Sequence, residues 1–524
     1  MKVVIIGGGS AGISAATRLR RMNEKAQIIV LEKSDEFAVA NCGLTYMLSG
    51  MIKNKDELIG ATVEQMRDVF RIDVRLGNEV IGIDRSEKRV MILNHQSETY
   101  DKLIIATGAL QLRPDINGIL GDNIFTIHSI SGVSKIRDYY FGTGALRVLI
   151  LGAGSVGIET AEAFSALKAK VYLVDMSNHI LPNMDKDMAE IVEQELQDKG
   201  IKLHLNTQVR SFGSTEVKLS SGKKLKYDMA IIATGNKPDI KLPIMADLEV
   251  GQSGGIKTNK FMQTNDADIY ACGDNVEIIN KITNRPERWS NASSALKQAR
   301  VAADHICGGK GEFSNFIGTD IVKVFDYIVA TTGCSEAKLQ AAGIKYHRLY
   351  LRQNNHAGYY PNAQKLHLKL LFAADGRILG FQAVGKAGVP ERINAVSALI
   401  QRGGSISDLI NLEVAYSPPF ANAKDALNNL GSLAQEVLSG KLHTLSAIDK
   451  DTLLVDIRSP ESFARGHQPG AINFPLPYLR ESYPLLPKNK KMALYDNSGY
   501  GAYIAYQILA QRGFDNVYML NHVQ

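Results

Sequence analysis

Short apolar runs separated by glycine turns recur along the first half of the chain. Lys2–Ile6 and Gln27–Leu31 have the length and composition of strands buried in a parallel sheet, with a helical stretch at about 11–22 between them. The same order recurs with Arg147–Leu151 and Lys170–Val174. The pattern predicts two strand–helix–strand units, each the core of a nucleotide-binding fold.

Both predicted turns between strand and helix contain the motif G-x-G-x-x-G. Its glycines are Gly7, Gly9 and Gly12 in the first copy and Gly152, Gly154 and Gly157 in the second. The first glycine allows the tight turn, the second lets a pyrophosphate approach the backbone, and the third packs the helix against the strand. Glu32 (with Lys33 after it) and Asp175 follow the third glycines by 20 residues (32 − 12) and 18 residues (175 − 157). An acid at this distance accepts a hydrogen bond from a ribose hydroxyl, so the sequence predicts two dinucleotide sites.

Three further strand ends support these two sites. The segments 104–108 and 231–235 both read Ile-Ile-Ala-Thr-Gly and follow a Tyr-Asp pair, and 269–274 ends in Gly-Asp. A carboxylate at such a turn accepts hydrogen bonds from a polyol chain. The candidate cofactor contacts in these segments are Thr107, Gly108, Gly235 and Asp274.

Beyond residue 310 the pattern changes to strands grouped together and helices grouped after them. The predicted strands are 319–326, 346–351, 365–372 and 377–384, and the predicted helices are 390–402 and 423–438. A last module follows, with a strand at 491–495, a loop at 496–501 and a helix at 502–512. The predicted fold class is α/β, with two Rossmann-like domains, an α+β module and a C-terminal α/β module.

Composition narrows the class of protein further. Of 524 residues, 45% are apolar and 22% charged, and 60 basic against 54 acidic residues leave a net charge of +6. This charge is too small to predict a nucleic-acid or anionic-membrane partner. The four cysteines form no C-x-x-C pair, which favours a reducing cytoplasm. No apolar run reaches 18 residues, so we expect no transmembrane helix.

With these motifs, the sequence resembles the flavin-dependent pyridine nucleotide–disulfide oxidoreductases. The segments 40–44 (Ala-Asn-Cys-Gly-Leu), 357–361 (Ala-Gly-Tyr-Tyr-Pro) and 415–420 (Ala-Tyr-Ser-Pro-Pro-Phe) resemble their coenzyme A disulfide and persulfide reductase branch, and the tail at about 445–524 resembles a rhodanese domain. The resemblance implies an FAD domain at 1–110 and 240–315, an NAD domain at 111–239, a dimerisation domain at 316–440, a linker at 441–450 and a rhodanese-like domain at 451–524. It also implies a cytoplasmic homodimer that acts on a small thiol or persulfide.

Cys42, next to Asn41, is the predicted redox residue. Dithiol members of this class carry C-x4-C, but the second position here is Met47, which cannot form a disulfide. A single redox cysteine must therefore react with an external thiol, a persulfide or oxygen, and it needs thiolate character that a helix N-terminus can supply. Cys272, Cys307 and Cys334 lack such a context, so we interpret them as structural.

The resemblance implies a reaction cycle. NADH would pass a hydride to the flavin, and two electrons would then reach Cys42 held in a mixed disulfide or persulfide with coenzyme A. Tyr416 and one of Tyr359 and Tyr360 resemble tyrosines that hydrogen-bond the departing sulfur from the partner subunit. Ordinary packing near prolines is the alternative for these tyrosines.

Asp175 favours NADH over NADPH, because a carboxylate accepts from the ribose 2′-hydroxyl and repels a 2′-phosphate. Glu159, on the predicted helix of the NAD domain, is either a residue that faces the nicotinamide or a paired helix residue. For the phosphates of coenzyme A, the candidate cations are Arg21, Arg18 and Arg71, with solvated surface charge as their alternative. No metal ligands are predicted.

The tail departs from the rhodanese pattern at its loop. Asp496 stands where the catalytic cysteine is expected, and Gly501 stands where the family has an arginine. An aspartate cannot carry a persulfide, so we predict that this module is inactive in sulfur transfer.

Two other functions remain open from the sequence. An NADH oxidase or peroxidase would cycle Cys42 through a sulfenate, although that branch usually has histidine where this chain has Ser10, and Ser-Cys where it has Asn-Cys. A flavoprotein scaffold that binds a partner through its tail is the other function, but it leaves Cys42 and Asp175 unexplained.

Overall fold

The structure is a computed structural model that describes residues 1–94, 96–314, 316–446 and 448–521. The chain divides into two compact units. The first contains Met1–Pro182 and Glu193–Phe316, and the second contains Asn183–Val192 and the chain from Ile317 onward. Two residues of the predicted FAD domain (His95 and Asn315), one of the predicted linker (Ala447), and the last three of the predicted rhodanese-like domain (522–524) lie outside the described residues.

Two parallel five-stranded sheets form the core of the first unit. The first sheet has the order Ile269–Ala271, Lys102–Ile105, Lys2–Ile6, Gln27–Leu31 and Asp73–Arg75, and the second has the order Lys202–His204, Lys170–Val174, Arg147–Leu151, Met229–Ile232 and Ile124–Thr126. In the central strand of the first sheet, Val3, Val4 and Ile5 are fully buried. Parallel strands covered on both faces are apolar throughout, which is why these runs could be recognised in the sequence. The predicted pairs of parallel strands are confirmed.

Smaller antiparallel sheets complete the first unit. Their strands are Val80–Asp84, Arg89–Ile92 and Gln96–Thr99; Val209–Phe212, Glu216–Leu219 and Lys224–Lys226; Ala109–Gln111 with Asn236–Pro238; and Ile278–Ile279 with Pro286–Glu287. The helices are Ser10–Met22, Leu44–Ser49, Val63–Asp68, Ile130–Thr143, Ser155–Ala166, Lys241–Met245 and Ala292–Ile306, with 3₁₀ turns at Asn41–Gly43 and Lys55–Leu58. Helix Lys186–Asp198 crosses the boundary between the two units.

An antiparallel sheet and a parallel sheet form the second unit. The antiparallel sheet has the order Thr319–Val324, Tyr327–Gly333, Ile378–Gly385, Lys365–Phe372 and His347–Asn354. The parallel sheet has the order Thr444–Leu445, Val517–Leu520, Met492–Tyr495, Leu453–Asp456 and Ile472–Asn473. The helices are Glu336–Ala342, Val389–Arg402, Ile406–Ile410, Ala426–Leu438, Pro460–Arg465, Leu479–Ser482 and Tyr500–Ala510, with 3₁₀ turns at Leu476–Tyr478 and Tyr483–Leu485.

Two features of the second unit differ from the sequence prediction. Strand Tyr327–Gly333 was not predicted; it pairs with Thr319–Val324 and with Ile378–Gly385. The parallel sheet also begins inside the segment 441–450 that was predicted as a linker, because Thr444–Leu445 pairs with Val517–Leu520.

Candidate active site

The two glycine turns of the first unit have the same geometry. Gly7 and Gly152 have φ angles of 107° and 111°, a region that favours glycine, and a Cβ on either would overlap a carbonyl oxygen of a neighbouring strand end. A Cβ on Gly12 or Gly157 would overlap the carbonyl oxygen of the first glycine of its own motif. These four positions therefore accept only glycine, and each turn directs the start of its helix toward the carboxyl ends of the strands.

The second glycine of each motif faces open space. Nothing lies within 4 Å of the position of a Cβ on Gly9 or on Gly154. The helices that begin after them, Ser10–Met22 and Ser155–Ala166, have unpaired backbone N–H groups in their first turn. Each turn thus provides space and donors that fit a diphosphate.

The predicted acids are held by backbone donors beside these turns. Glu32 accepts hydrogen bonds from the N–H of Gly8 at 2.7 Å and of Ser34 at 2.8 Å. Asp175 accepts equivalent bonds from Ala153 at 2.6 Å and Ser177 at 2.7 Å. Both carboxylates are therefore oriented at the end of the second strand, which is where a ribose would lie in a dinucleotide site.

Several other predicted cofactor contacts lie at the carboxyl ends of strands in the same two sheets. Thr107 donates to the carbonyl of Asp239 at 2.9 Å and accepts from Asn275 Nδ2 at 3.1 Å. The ammonium of Lys33 is 3.7 Å from the carboxylate of Asp239. Gly108 and Gly235 both have positive φ angles, 67° and 94°, and both face open space.

Two buried polar groups beside the first turn indicate whether FAD fits there. Asn275 Oδ1 is buried and has no hydrogen-bond partner among the described residues. Burial raises the pKa of the neighbouring carboxyl of Asp274. The hydroxyl groups of a ligand would supply the missing donor to Asn275 Oδ1, and the carboxyl of Asp274 can accept further hydrogen bonds from them. The donors and acceptors at the first turn therefore fit FAD, and those at the second turn fit a pyridine nucleotide.

Cys42 lies in the 3₁₀ turn Asn41–Gly43, just before helix Leu44–Ser49, and it is exposed. None of the four cysteines, all of them in the described part of the chain, forms a disulfide. Cys272 is fully buried, and burial raises the pKa of its thiol to about 12; burial also raises the pKa of the Cys307 thiol. A thiol that does not ionise is a poor nucleophile, so the surroundings of Cys272 and Cys307 favour Cys42 as the reactive sulfur.

Glu159 connects the two nucleotide-binding parts of the first unit. Its carboxylate accepts a hydrogen bond of 2.8 Å from Thr45 Oγ1 and one of 3.3 Å from the hydroxyl of Tyr46. Burial, together with the charge of Glu159, raises the pKa of Tyr46 to about 12. Of the two alternatives for Glu159, the contacts favour a paired helix residue, although its partners belong to the helix that follows Cys42. Sequence reasoning did not identify Thr45 or Tyr46.

The predicted tyrosines belong to the second unit. Interaction with the hydroxyl of Tyr416 raises the pKa of Tyr359. Both rings are largely exposed, at 79% and 50%. The ring of Tyr360 packs edge-on against His356 at a centroid distance of 5.8 Å. Tyr416 thus interacts with Tyr359, whereas Tyr360 contacts His356.

The predicted arginines have different environments. Arg18 Nε forms an ion pair of 2.6 Å with Asp304, so its charge is already compensated. Arg71 has a positive φ of 51°, and its carbonyl accepts a hydrogen bond of 2.8 Å from the buried guanidinium of Arg20. Arg21 is exposed at the end of helix Ser10–Met22. Arg21 and Arg71 are both exposed, so of the three candidates these two leave their charge accessible to a phosphate.

The loop 496–501 of the second unit is closed around its own aspartate. Asp496 Oδ1 accepts from the N–H of Gly499 at 2.6 Å, and Oδ2 accepts from Ser498 Oγ at 2.7 Å and from the N–H of Gly501 at 3.3 Å. Backbone donors that converge on one point form an anion site. In this loop the side chain of Asp496 is the anion.

One acidic cluster of the second unit resembles a metal site by its spacing. Asp185, Asp187 and Glu336 have carboxylate oxygens within 4.8 Å of one another. The ammonium of Lys369, which is 2% exposed, lies 3.0, 2.7 and 2.5 Å from these three carboxylates. The cluster already holds a cation, which accounts for the grouping of acids.

The fold and the two nucleotide turns define a class of protein, and comparison with known sequences identifies it. Residues 1–295 match the family described as pyridine nucleotide-disulphide oxidoreductase, residues 319–427 match the dimerisation domain of that family, and residues 441–522 match the rhodanese-like domain. The chain therefore belongs to the pyridine nucleotide–disulphide oxidoreductase family. The predicted family, oxidoreductase class and α/β fold class are confirmed.

Among individual relatives, the chain is similar to the coenzyme A disulfide reductase of Staphylococcus epidermidis, with 31% identity over 441 residues that cover 83% of this chain and 100% of the relative. It is 32% identical to the NADH oxidase of Methanocaldococcus jannaschii, over 84% of this chain and 100% of that protein. The crystal structure of reduced Bacillus anthracis CoADR-RHD is similar, with a TM-score of 0.97, 33% identity, and coverage of 99% of this chain and 96% of that chain. The NAD-dependent persulfide reductase from A. fulgidus has a TM-score of 0.96 and 33% identity, with coverage of 100% and 99%.

Within the described residues, no helix is at once long enough and apolar enough to cross a membrane.

Proposed function

We propose that this chain is an FAD-dependent NADH oxidoreductase that reduces coenzyme A disulfide or coenzyme A persulfide through Cys42. The observation that carries the proposal is the position of one exposed cysteine on the turn before a helix that Glu159 joins to the NAD-side helix. Met47 occupies the position of a second thiol, so the sulfur partner of Cys42 has to come from the substrate. Relatives named for coenzyme A disulfide and persulfide reduction support this substrate class.

Two sulfur steps follow from a single cysteine. The thiolate of Cys42 attacks one sulfur of coenzyme A disulfide, forms a mixed disulfide and releases one coenzyme A thiolate. Bound FAD supplies the electron pair of NADH that cleaves this mixed disulfide, which restores the Cys42 thiolate and releases the second coenzyme A thiolate. The balance is NADH, one proton and one disulfide giving NAD⁺ and two thiols. With a persulfide the products are one thiol and hydrogen sulfide.

Tyr359 and Tyr416 would stabilise the departing thiolate. Their hydroxyls interact with each other on an exposed surface, where a phenol hydroxyl can donate to a sulfur anion. We propose, as the family resemblance implies, that they act on Cys42 of the partner subunit in a homodimer. The match of residues 319–427 to the dimerisation domain supports this assembly.

The remaining assignments follow from the contacts of individual residues. Asp175, held by two backbone donors, would accept from the ribose 2′-hydroxyl of NADH. Arg21 would bind a phosphate of coenzyme A. Asp496 occupies the anion site of its own loop, so the rhodanese-like module would not transfer sulfur. We place the enzyme in the cytoplasm, where free cysteines and reduced coenzyme A persist.

A second candidate function is NADH oxidase or peroxidase activity through a Cys42 sulfenate. The similarity to the M. jannaschii protein of that name favours it. Anaerobic turnover distinguishes the two functions, because an oxidase has no acceptor without oxygen or peroxide.

The test compares Cys42→Ser with Cys307→Ser, a matched change at a cysteine whose environment disfavours reaction. We expect anaerobic NADH oxidation with coenzyme A disulfide or persulfide in the wild type and in Cys307→Ser. Cys42→Ser is expected to lose it while still passing electrons from NADH to ferricyanide. Mass spectrometry of the wild type should show coenzyme A on Cys42. Equal turnover in Cys42→Ser, or turnover that requires oxygen, would reject the proposal.

A further inference from the structure

A cavity of about 620 Å³ lies beside the loop 496–501 in the second unit. Its size is that of sites for small molecules and cofactors. The residues that bear on its chemistry are Arg352, Asn354, Lys365, Lys424, Glu436 and Tyr500. None of the glycine turns, nor Cys42, contributes to it, so it is separate from the proposed active site.

The register of the antiparallel sheet explains why cations gather at this cavity. Asn354 pairs with Lys365, and Arg352 pairs with His367. Because alternate residues share a face, these four side chains stand on the same side of the two strands. Farther along that face, His367 Nδ1 and the hydroxyl of Tyr350 are hydrogen-bonded to each other.

The cations of this face differ in how they are compensated. Lys369 is surrounded by three carboxylates. At the cavity end, Arg352, Lys365 and Lys424 form no ion pair with any carboxylate in the described ranges, and Arg352 Nε is buried without a hydrogen-bond partner.

The charges at this end also repel one another. Burial, with the charge of Arg352, lowers the pKa of Lys365. Burial, with both of these charges, lowers the pKa of His367 to about 4. Three cations and one carboxylate, that of Glu436, line the cavity, so its net positive charge favours an anion.

The opposite wall comes from a helix and from the loop. Asn429, Ser432, Leu433 and Glu436 follow the i, i+3, i+4, i+7 spacing of one face of helix Ala426–Leu438. The ring of Tyr500 is 61% exposed. The cavity thus combines three cations with amide groups and an aromatic ring.

We propose that this cavity binds a phosphorylated small molecule of nucleotide size. The guanidinium of Arg352 and the ammonium groups of Lys365 and Lys424 bind its phosphates, since guanidinium and phosphate geometries match. Tyr500 stacks on its ring. Sulfur oxyanions such as thiosulfate also carry negative charge, but they have no ring and are smaller than a nucleotide. Because Asp496 already occupies the anion site of the adjacent loop, the ligand binds in the cavity and not in the loop.

The test is calorimetry on the full-length, FAD-loaded protein with inorganic pyrophosphate, ADP and thiosulfate as probes. We expect saturable pyrophosphate binding that weakens about tenfold or more in Arg352→Gln and in Lys365→Gln. Lys345→Gln is the matched control, because Lys345 is an exposed lysine of the same unit outside the cavity lining. Tyr500→Ala should weaken ADP but not pyrophosphate. Lys365 is the first residue of its strand and only partly buried, so its variant is expected to fold, and NADH turnover checks this.

Three results would overturn the proposal. The first is the absence of saturable pyrophosphate binding. The second is equal affinity in Arg352→Gln, Lys365→Gln and Lys345→Gln. The third is thiosulfate binding tighter than pyrophosphate with no effect of Tyr500→Ala on ADP, which would assign the cavity to sulfur oxyanions.

Discussion

Thr45 Oγ1 donates a hydrogen bond of 2.8 Å to Oε2 of Glu159. The bond joins helix Leu44–Ser49, which follows the proposed redox cysteine, to helix Ser155–Ala166, which follows the second glycine turn. The position of Cys42 therefore depends on a residue of the proposed NAD side. A hydrogen bond to a charged acceptor in a partly buried place is among the stronger ones, so this contact should hold the redox turn in place.

A double-mutant cycle with Thr45→Val and Glu159→Ala measures this contact. We expect a coupling free energy of about 1–2 kcal/mol in the unfolding of the first unit, because a charged acceptor is involved. The matched cycle uses Tyr46→Phe, whose hydroxyl is farther from the carboxylate, at 3.3 Å, and it should give the smaller coupling. The opposite ranking, or no coupling for Thr45, would mean that the carboxylate of Glu159 is oriented by other groups.

The choice between NADH and NADPH is predicted to depend on Asp175. Asp175→Ser with Met176→Arg should raise the ratio of kcat/KM for NADPH over NADH by roughly tenfold or more, because a repulsive carboxylate is replaced and a cation is added. Met176 is exposed, so the added arginine can reach solvent and a 2′-phosphate.

Met176→Arg alone is the control for the cofactor experiment. Because Asp175 is retained, this single variant should change the ratio of kcat/KM for NADPH over NADH less than the double variant does. An unchanged NADPH to NADH ratio in the double variant would show that Asp175 orients the turn through Ala153 and Ser177 but does not contact the ribose.

The nucleotide turns could be predicted from the sequence because their constraints are local. Gly12 packs against the carbonyl of Gly7, five positions away, and the parallel strands beside the turn are apolar on both faces. Contacts between distant residues left no such signal. Arg18 was considered as a phosphate ligand from its basic neighbours, but its partner Asp304 is 286 residues away. Thr45 and Glu159 are 114 residues apart. Neither residue type reveals its partner in one sequence.

The loop of the rhodanese-like module provides a third prediction. Removing the acceptor with Asp496→Ala leaves the N–H groups of Gly499 and Gly501 without their partner. Local opening should become easier by about 1–2 kcal/mol, which corresponds to roughly 5- to 30-fold faster hydrogen exchange in the loop. Asp451→Ala, at an exposed acid of the same module, should leave the exchange unchanged. Unchanged exchange in Asp496→Ala would mean that the loop is held by its outer contacts, such as the bond from the N–H of Arg352 to the carbonyl of Ser498.

The fourth prediction concerns pH and the buried His367. Burial and the nearby cations lower its pKa to about 4, against 6.5 for an ordinary histidine. Well above pH 6.5 the ring is neutral in the folded and unfolded chain and contributes no pH dependence. Between these two values the unfolded chain binds a proton that the folded chain does not, so stability falls as the pH falls. The loss is complete below about pH 4 and amounts to roughly 3 kcal/mol.

His367→Gln isolates this contribution. The amide oxygen still accepts a hydrogen bond from Tyr350 but does not titrate, so the loss of melting temperature between pH 7.5 and 4 should be smaller than in the wild type. His347→Gln, at an exposed position on the neighbouring strand, should follow the wild-type profile. Parallel profiles for His367→Gln and the wild type would show that acid destabilisation of the second unit comes from other groups, with the carboxylates around Lys369 as the nearest ones. If only His367→Gln shows a smaller loss of melting temperature, the acid destabilisation arises at the charged face that lines the cavity. The reason is that Arg352 and Lys365 already disfavour a proton on the His367 ring.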